Sequence, residues 1–236
     1  MSGYAKYYEE KLYPIQDGVL SIINKLDTPF FLTGGTALSR YYFTHRYSDD
    51  LDLFVHNDPQ YLSHVETVLN QLIKDGKGRF DVEMKSIKRN QNYTQLYVID
   101  TENPDVELRI DLINDIAAHF GEIEMDAKLG KVDNWRNILS NKLTALFRSE
   151  PKDVVDIQAI ARHRNFNWKS IVNEAKMKEA GVEPEILHDM LMSFPVSYID
   201  TIKWIEKPDE KRFSENIKMV ADDILFGRSN SIYIPK

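Results

Sequence analysis

The chain has 236 residues, 42% hydrophobic and 28% charged, an ordinary globular balance with length for one large or two small domains. It has no cysteine, which excludes disulfides and thiolate chemistry and suits a reducing compartment. A formal charge of −7 argues against a general nucleic-acid binder, and no apolar run reaches the ~18 residues that span a bilayer. The charge is uneven: Lys131 to Lys169 holds eight Lys/Arg against four Asp/Glu, a net of +4, so a basic face within an acidic protein is expected. The opening "MSGYAKYYEEKLY" has no signal-peptide core, and a cytoplasmic protein with no membrane partner is expected.

Tyr4 to Leu26 predicts a helix, either broken near Pro14 or restarted there with the proline in a first turn. Phe30-Phe31-Leu32 predicts a short buried strand, punctuated by Gly34-Gly35, and Thr36 to Thr44 has helical spacing. Leu51 to Val55 reads as a second strand. Asp58 as N-cap and Pro59 at the first helical position predict a helix to about Lys74, ended by Asp75-Gly76 and Gly78. Phe80 to Ile87, Asn92 to Ile99 and Val106 to Ile113 predict three more strands. After Ile116 the character changes. Helices are expected at Trp135–Phe147 with Asp133 as its cap, and at Lys152–Arg162, Trp168–Lys178, Glu185–Ser193 and Ser214–Leu225. The expected organisation is an α/β domain over 1–118 and an all-helical domain over 119–236.

Within "SDDLDLFV" the two-residue period of a strand places Asp50, Asp52 and Phe54 on one face and Leu51, Leu53 and Val55 on the other. Asp49 falls on the apolar parity, outside the pair. "VELRIDLI" repeats the pattern, with Glu107, Arg109 and Asp111 on one face. Two carboxylates one strand repeat apart repel, so either one holds a proton or a cation neutralises both. Hard oxygens favour Mg²⁺ or Mn²⁺. If the two strands are neighbours, Asp111 joins Asp50 and Asp52, and three carboxylates suffice for the two ions of an in-line phosphoryl displacement. The plainer reading is a solvated sheet edge, but aspartate is disfavoured in strands and occurs here twice with apolar flanks.

Gly34-Gly35 follow a strand and precede a helix, a place where backbone amides and the helix dipole can meet a phosphate, with the Thr36 hydroxyl alongside. A lone Gly-Gly is more often a plain turn. Here the order strand, Gly-Gly-Thr, helix and then an Asp pair about fifteen residues on points to a nucleoside triphosphate site.

"GGTALS…HRYSDDLDLF" resembles the signature of the DNA polymerase β-like nucleotidyltransferases, and within them the AbiEii/AbiGii toxin family. "KLTALFR" (142–148) and "KDVVDI" (152–157) resemble two further motifs of that family, so the resemblance covers roughly residues 30–162. It implies a polymerase β-like α+β fold with a mixed sheet, followed by a helical C-terminal domain. It implies transfer of a nucleoside monophosphate from an NTP to a hydroxyl acceptor, a tRNA end being the first expectation, and a cognate antitoxin as partner. A small-molecule acceptor and a catalytically silent nucleotide-binding module are the alternatives.

The expected catalytic set is Asp50, Asp52, Asp111, Lys142 and Asp153, with Asp50, Asp52 and Asp111 as metal ligands. Gly34, Gly35, Thr36, Arg46, Ser48 and Arg148 are the expected nucleotide-binding set. Lys142 is read as gripping the triphosphate. Asp153 is read as lying near the site, as base or as orienter of Lys142, or more plainly as a helix cap or a partner of Lys142 or Arg148, with Asp156 as structural support. Arg46 either contacts phosphate or pairs with Asp49. Ser48 bonds within its turn. His45 reads as a packing residue rather than a base, the Tyr41-Tyr42-Phe43 cluster as core rather than a base-stacking platform, and Arg162, His163 and Arg164 as a solvated helix end, with contact to RNA phosphates the alternative.

Overall fold

The computed structural model describes residues 4–235. The chain divides into two compact units. One comprises Met1–Tyr41, Tyr47–Ala117 and Glu122–Asn134, the other Tyr42–Arg46, Ala118–Gly121 and Trp135–Lys236.

The first unit opens with α1 (Ala5–Tyr7), a π-helical turn (Tyr8–Leu12) and α2 (Tyr13–Ile23). Pro14 does not break this run. It sits in the first turn of α2, after a wide turn closed by the Tyr13 N–H on the Tyr8 carbonyl, so its missing N–H and its ring are both accommodated. β1 (Phe31–Thr33) leads directly into α3 (Gly34–Ala37), continued by a π-helical stretch at Leu38–Phe43. β2 (Leu51–His56) and α4 (Tyr61–Asp75) follow. α4 starts later than Asp58-Pro59 predicts, because Asp58 Oδ1 accepts the Gln60 N–H at 2.7 Å and closes a turn ahead of it. The predicted strand at 80–87 is two short pieces, β3 (Phe80–Val82) and β4 (Lys88–Arg89), around a 3₁₀ turn at Met84–Ser86. There the Ser86 hydroxyl donates to Glu83 at 2.6 Å. β5 (Tyr93–Asp100) and β6 (Glu107–Asp115) are long, and β7 (Glu124–Asp126) with β8 (Gly130–Val132) forms a small hairpin.

These strands build one mixed sheet in the order β3-β5-β6-β2-β1-β8-β7, with β4 beside β5. β2 runs parallel to β6, and β1 parallel to β8; the remaining pairs are antiparallel. The β7–β8 hairpin lies past residue 118, yet it belongs to this sheet because β8 pairs with β1, Val132 opposite Leu32. Leu51, Leu53 and Val55 of β2 and Leu108, Ile110 and Leu112 of β6 are buried, as their parity requires. α4 buries Tyr61, Val65, Val68, Leu69 and Leu72, a stripe of helical period, each such side chain contributing about 1.5–3 kcal/mol.

The second unit is helical: α5 (Trp135–Ala145), α6 (Pro151–His163), α7 (Trp168–Lys178), α8 (Pro184–Met192) and α9 (Glu210–Leu225). α9 begins before Ser214, because Asp209 caps it by accepting the Arg212 N–H at 2.8 Å. α6 is the central helix, buried without interruption from Asp153 to Ala161. A helix buried all round cannot leave Asp153 and Asp156 uncompensated. Among the described residues, no helix is long and apolar enough to cross a membrane.

Candidate active site

The acids of the sheet come together through strand register. Asp52 of β2 lies directly opposite Asp111 of β6, and Thr33 of β1 lies opposite Asp52 on its other side. Asp50, just ahead of β2, pairs with Arg109. Arg109 Nε also lies 3.5 Å from Asp111 Oδ2. Burial works to lower the pKa of this guanidinium, but Asp50, Asp111 and Asp52 outweigh it and raise it, so the group stays charged. A cation is therefore present among the carboxylates, and it is the protein's own. Asp111 Oδ1 accepts from Gln95 at 3.0 Å and from Tyr93 at 3.1 Å. Burial first, and then the charge of Asp111, push the Tyr93 phenol up to about 12, so it remains a donor. Asp49 stands apart from this face and accepts the Tyr8 hydroxyl.

The strand-to-helix turn is shaped around Asp52. Gly34 has φ +67°, and a Cβ built there would lie 2.3 Å from Asp52 Oδ2. Glycine is needed on both counts, for backbone conformation and for close approach. Gly35 and Thr36 follow in the first turn of α3. Thr36 does not present its hydroxyl outward as the sequence predicts. It is 1% exposed, donates to the Asp50 carbonyl, and lies 2.9 Å from the Ser48 hydroxyl. The two hydroxyls tie the glycine turn to the start of β2, because a buried hydroxyl must find an acceptor. Ser48 thus bonds across to the glycine turn rather than within its own.

The remaining expected residues gather in the helical unit as a buried ion cluster. Lys142 of α5 lies 2.7 Å from both Asp153 and Asp156 of α6. Arg46 grips Asp156 with two donors, Nε at 2.7 Å and a terminal nitrogen at 2.8 Å. His45 Nε2 is 2.8 Å from the same carboxylate, and Arg148, 64% exposed, reaches Asp153 at 3.2 Å. Both aspartates are 0% exposed. Burial would raise the Asp156 carboxyl, but Arg46, Lys142 and the His45 bond hold it well below the usual range. For Lys142 burial works to lower the pKa, but Asp156 and Asp153 outweigh both it and the neighbouring Arg46 and raise it. His45 goes the other way: burial dominates and lowers it, so the imidazole is neutral and its Nε2 proton points at Asp156. Arg46 is thus an internal counter-charge buried on Asp156. Asp156, expected only as support, is the centre of the cluster, and Asp153 has Lys142 and Arg148 on its two oxygens.

Arg109 is the residue to which the sequence assigned no role. The signal was present: it shares parity with Asp111 and, once β2 and β6 are neighbours, falls level with Asp50. The carboxylate oxygens of Asp50, Asp52 and Asp111 suit a hard divalent cation in kind. Among the described residues, no three acidic or histidine side chains are gathered as a ready-made metal site.

The sheet with Asp52 opposite Asp111, the strand–glycine–helix turn and the helical unit define a nucleotidyltransferase fold. Three solved structures share it: a protein of H. pylori described as a candidate nucleotidyltransferase (19% identity, 96% of each chain covered, TM-score 0.62), JHP933 of Helicobacter pylori (19% identity, 96% of this chain and 94% of that one, TM-score 0.56) and MenT4, a nucleotidyltransferase toxin of Mycobacterium tuberculosis H37Rv (15% identity, 90% and 82%, TM-score 0.58). The chain belongs to the nucleotidyl transferase AbiEii toxin family of type IV toxin–antitoxin systems, whose sequence profile matches residues 20–223. No curated protein sequence matches it.

Proposed function

We propose that this chain is a toxin that transfers a nucleoside monophosphate from an NTP to a hydroxyl at the end of a tRNA, in the cytoplasm, with a cognate antitoxin protein as its partner. The observation that carries the reading is the pairing of Asp52 with Asp111 beside Gly34, an acidic face built against a turn in which Gly34 has no room for a side chain. The acceptor oxygen bonds to the α-phosphorus as the bond to the β-phosphate oxygen breaks, and pyrophosphate leaves with that electron pair. The acceptor's proton passes to Asp111 Oδ2, since Oδ1 is occupied by Tyr93 and Gln95. Asp52 and Asp111, with Asp50, would hold Mg²⁺ or Mn²⁺, which when bound supplies charge neutralisation on the phosphates. Arg109 supplies a further positive charge on the same face. Gly34 and Gly35 offer backbone amides to the triphosphate, while Thr36 and Ser48 brace the turn. Within the helical unit, Asp153 and Asp156 hold Lys142 between them, and Arg148 is the exposed cation of that cluster.

The test incubates the protein with Mg²⁺, each labelled NTP in turn and total tRNA. Label transfer to tRNA that Asp52→Ala abolishes is the expected result. No transfer to any acceptor, together with no metal-dependent NTP binding, would sink the reading. Transfer to small hydroxyl compounds but not to tRNA would replace the acceptor.

A further inference from the structure

The helical unit contains a cleft of about 200 Å³ that none of the chemistry above uses. Four rings stand in its lining, Phe43, His163, Trp204 and Phe213, with Val155, Ala159 and Pro208 between them. Their orientations are pinned. Phe43 stacks on His163 at 4.9 Å and 25°, and Trp204 meets Phe213 edge-on at 6.4 Å. The His163 Nδ1–H donates to the Ala159 carbonyl at 2.7 Å, and the Trp204 indole N–H donates to the Ile199 carbonyl at 2.8 Å. The volume is below the ~300–1,000 Å³ of a drug-sized site, so it suits one ring system rather than a large ligand.

The polar groups of the same cleft are left over. Arg162 forms no ion pair among the described residues and its Nε is buried without a partner. Burial, and then the neighbouring Arg212, push its pKa down, which an anion would reverse. His45 gives its Nε2 proton to Asp156, so its buried Nδ1 is a bare acceptor, also without a partner. Glu206 lines the cleft as a second acceptor. Just outside, Arg164 lies over Phe43 and Tyr42 at 5.6 Å from each ring. Between Phe43 and His45, Thr44 has φ +50°, a conformation that a β-branched residue rarely adopts and that marks sites where backbone placement matters more than local comfort.

Flat aromatic walls, an acceptor and a donor at the edge, and unpaired arginines are the parts that read an unpaired base and its phosphate. We propose that this cleft holds one unstacked nucleobase of a single-stranded RNA end, between the Phe43–His163 stack and Trp204, with the adjoining phosphate on Arg162. The proposal rests on the RNA acceptor proposed above and assigns part of its binding to the helical unit.

The experiment titrates the full chain with a labelled single-stranded RNA hexamer of mixed sequence, with neither NTP nor divalent metal present, following anisotropy and tryptophan fluorescence. Phe43→Ala, with Phe43→Leu as the gentler variant, is expected to weaken binding about 5- to 150-fold, the range for loss of one stacked base. Arg162→Gln is expected to lower the slope of log K against log salt by about 0.7, one single-strand phosphate contact. Equal hexamer binding by wild type and all three variants overturns the proposal. Equal competition by a blunt RNA duplex overturns it too. A mononucleotide that binds as tightly as the hexamer overturns the RNA occupant in favour of a free nucleotide. Transfer assays with Asp52→Ala separate the two ideas: unaltered hexamer binding in the variants alongside intact transfer removes the cleft and leaves the enzyme.

Discussion

Gly34→Ala tests the link between backbone geometry and the acidic face. Gly34 sits at φ +67°, where an L side chain costs about 1–2 kcal/mol. At roughly 2–4 °C per kcal/mol for a chain of this size, the melting temperature should fall by about 2–8 °C. The added methyl does more than strain the turn. It would stand 2.3 Å from Asp52 Oδ2, so the carboxylate must withdraw beyond 3.0 Å, the least separation that real Cβ contacts show. Misplacement of a reacting group by about 1 Å costs on the order of 100-fold in rate. The variant should therefore fold, melt a few degrees lower and lose about two orders of magnitude in nucleotidyl transfer. Differential scanning calorimetry and a labelled-NTP assay read the two effects separately. A variant that keeps both its melting temperature within about 1 °C and its full transfer rate would refute the argument, since Asp52 would then not depend on the bare turn.

Asp156→Asn leaves Lys142 and Arg46 buried with half their compensation, and urea unfolding should show a loss of about 3–5 kcal/mol. Because the folded Asp156 carboxyl is held low, its contribution is present above the unfolded value of about 3.9 and is lost as pH falls through the folded value. Unfolding measured across pH should accordingly show the wild type losing stability below about pH 4 more steeply than Asp156→Asn. Thr36→Val strands the acceptor it serves and should cost about 1–3 kcal/mol, with NTP affinity unchanged in a binding titration; a large loss of NTP affinity at unchanged stability would mean that the hydroxyl faces the nucleotide after all. Arg109→Gln removes a competing cation worth up to ~1 kcal/mol at a partly exposed site, so calorimetry should find Mn²⁺ bound about fivefold more tightly. Unchanged or weaker Mn²⁺ binding would show that Arg109 does not compete for those carboxylates.

What could be read without coordinates was whatever depends on backbone period and local turn chemistry. The alternation in "DDLDLFV" places Asp52 on one face of β2 and Leu51, Leu53 and Val55 on the other, and the structure buries those three. The glycine turn was legible for the same reason, as only a strand-to-helix reversal needs that residue there. β7 and β8 were missed because three-residue strands around Gly130 are too short to show a period. The strand at 80–87 was over-extended because a 3₁₀ turn built on Ser86 and Glu83 interrupts an alternating pattern without a glycine or proline to announce it.

The amino-acid sequence by itself determined which acids share a strand face, where a glycine turn joins strand to helix, and which helices carry the charged motifs. Only the tertiary structure decided their partners. It put Asp111 level with Asp52, gave Asp50 to Arg109, turned Thr36 inward, and made Arg46, Lys142, Asp153 and Asp156 a single buried cluster. The reason is physical. Parity and capping follow from the backbone over a few residues, whereas the partner of a charge depends on which distant segment arrives beside it and on how much water that arrival removes.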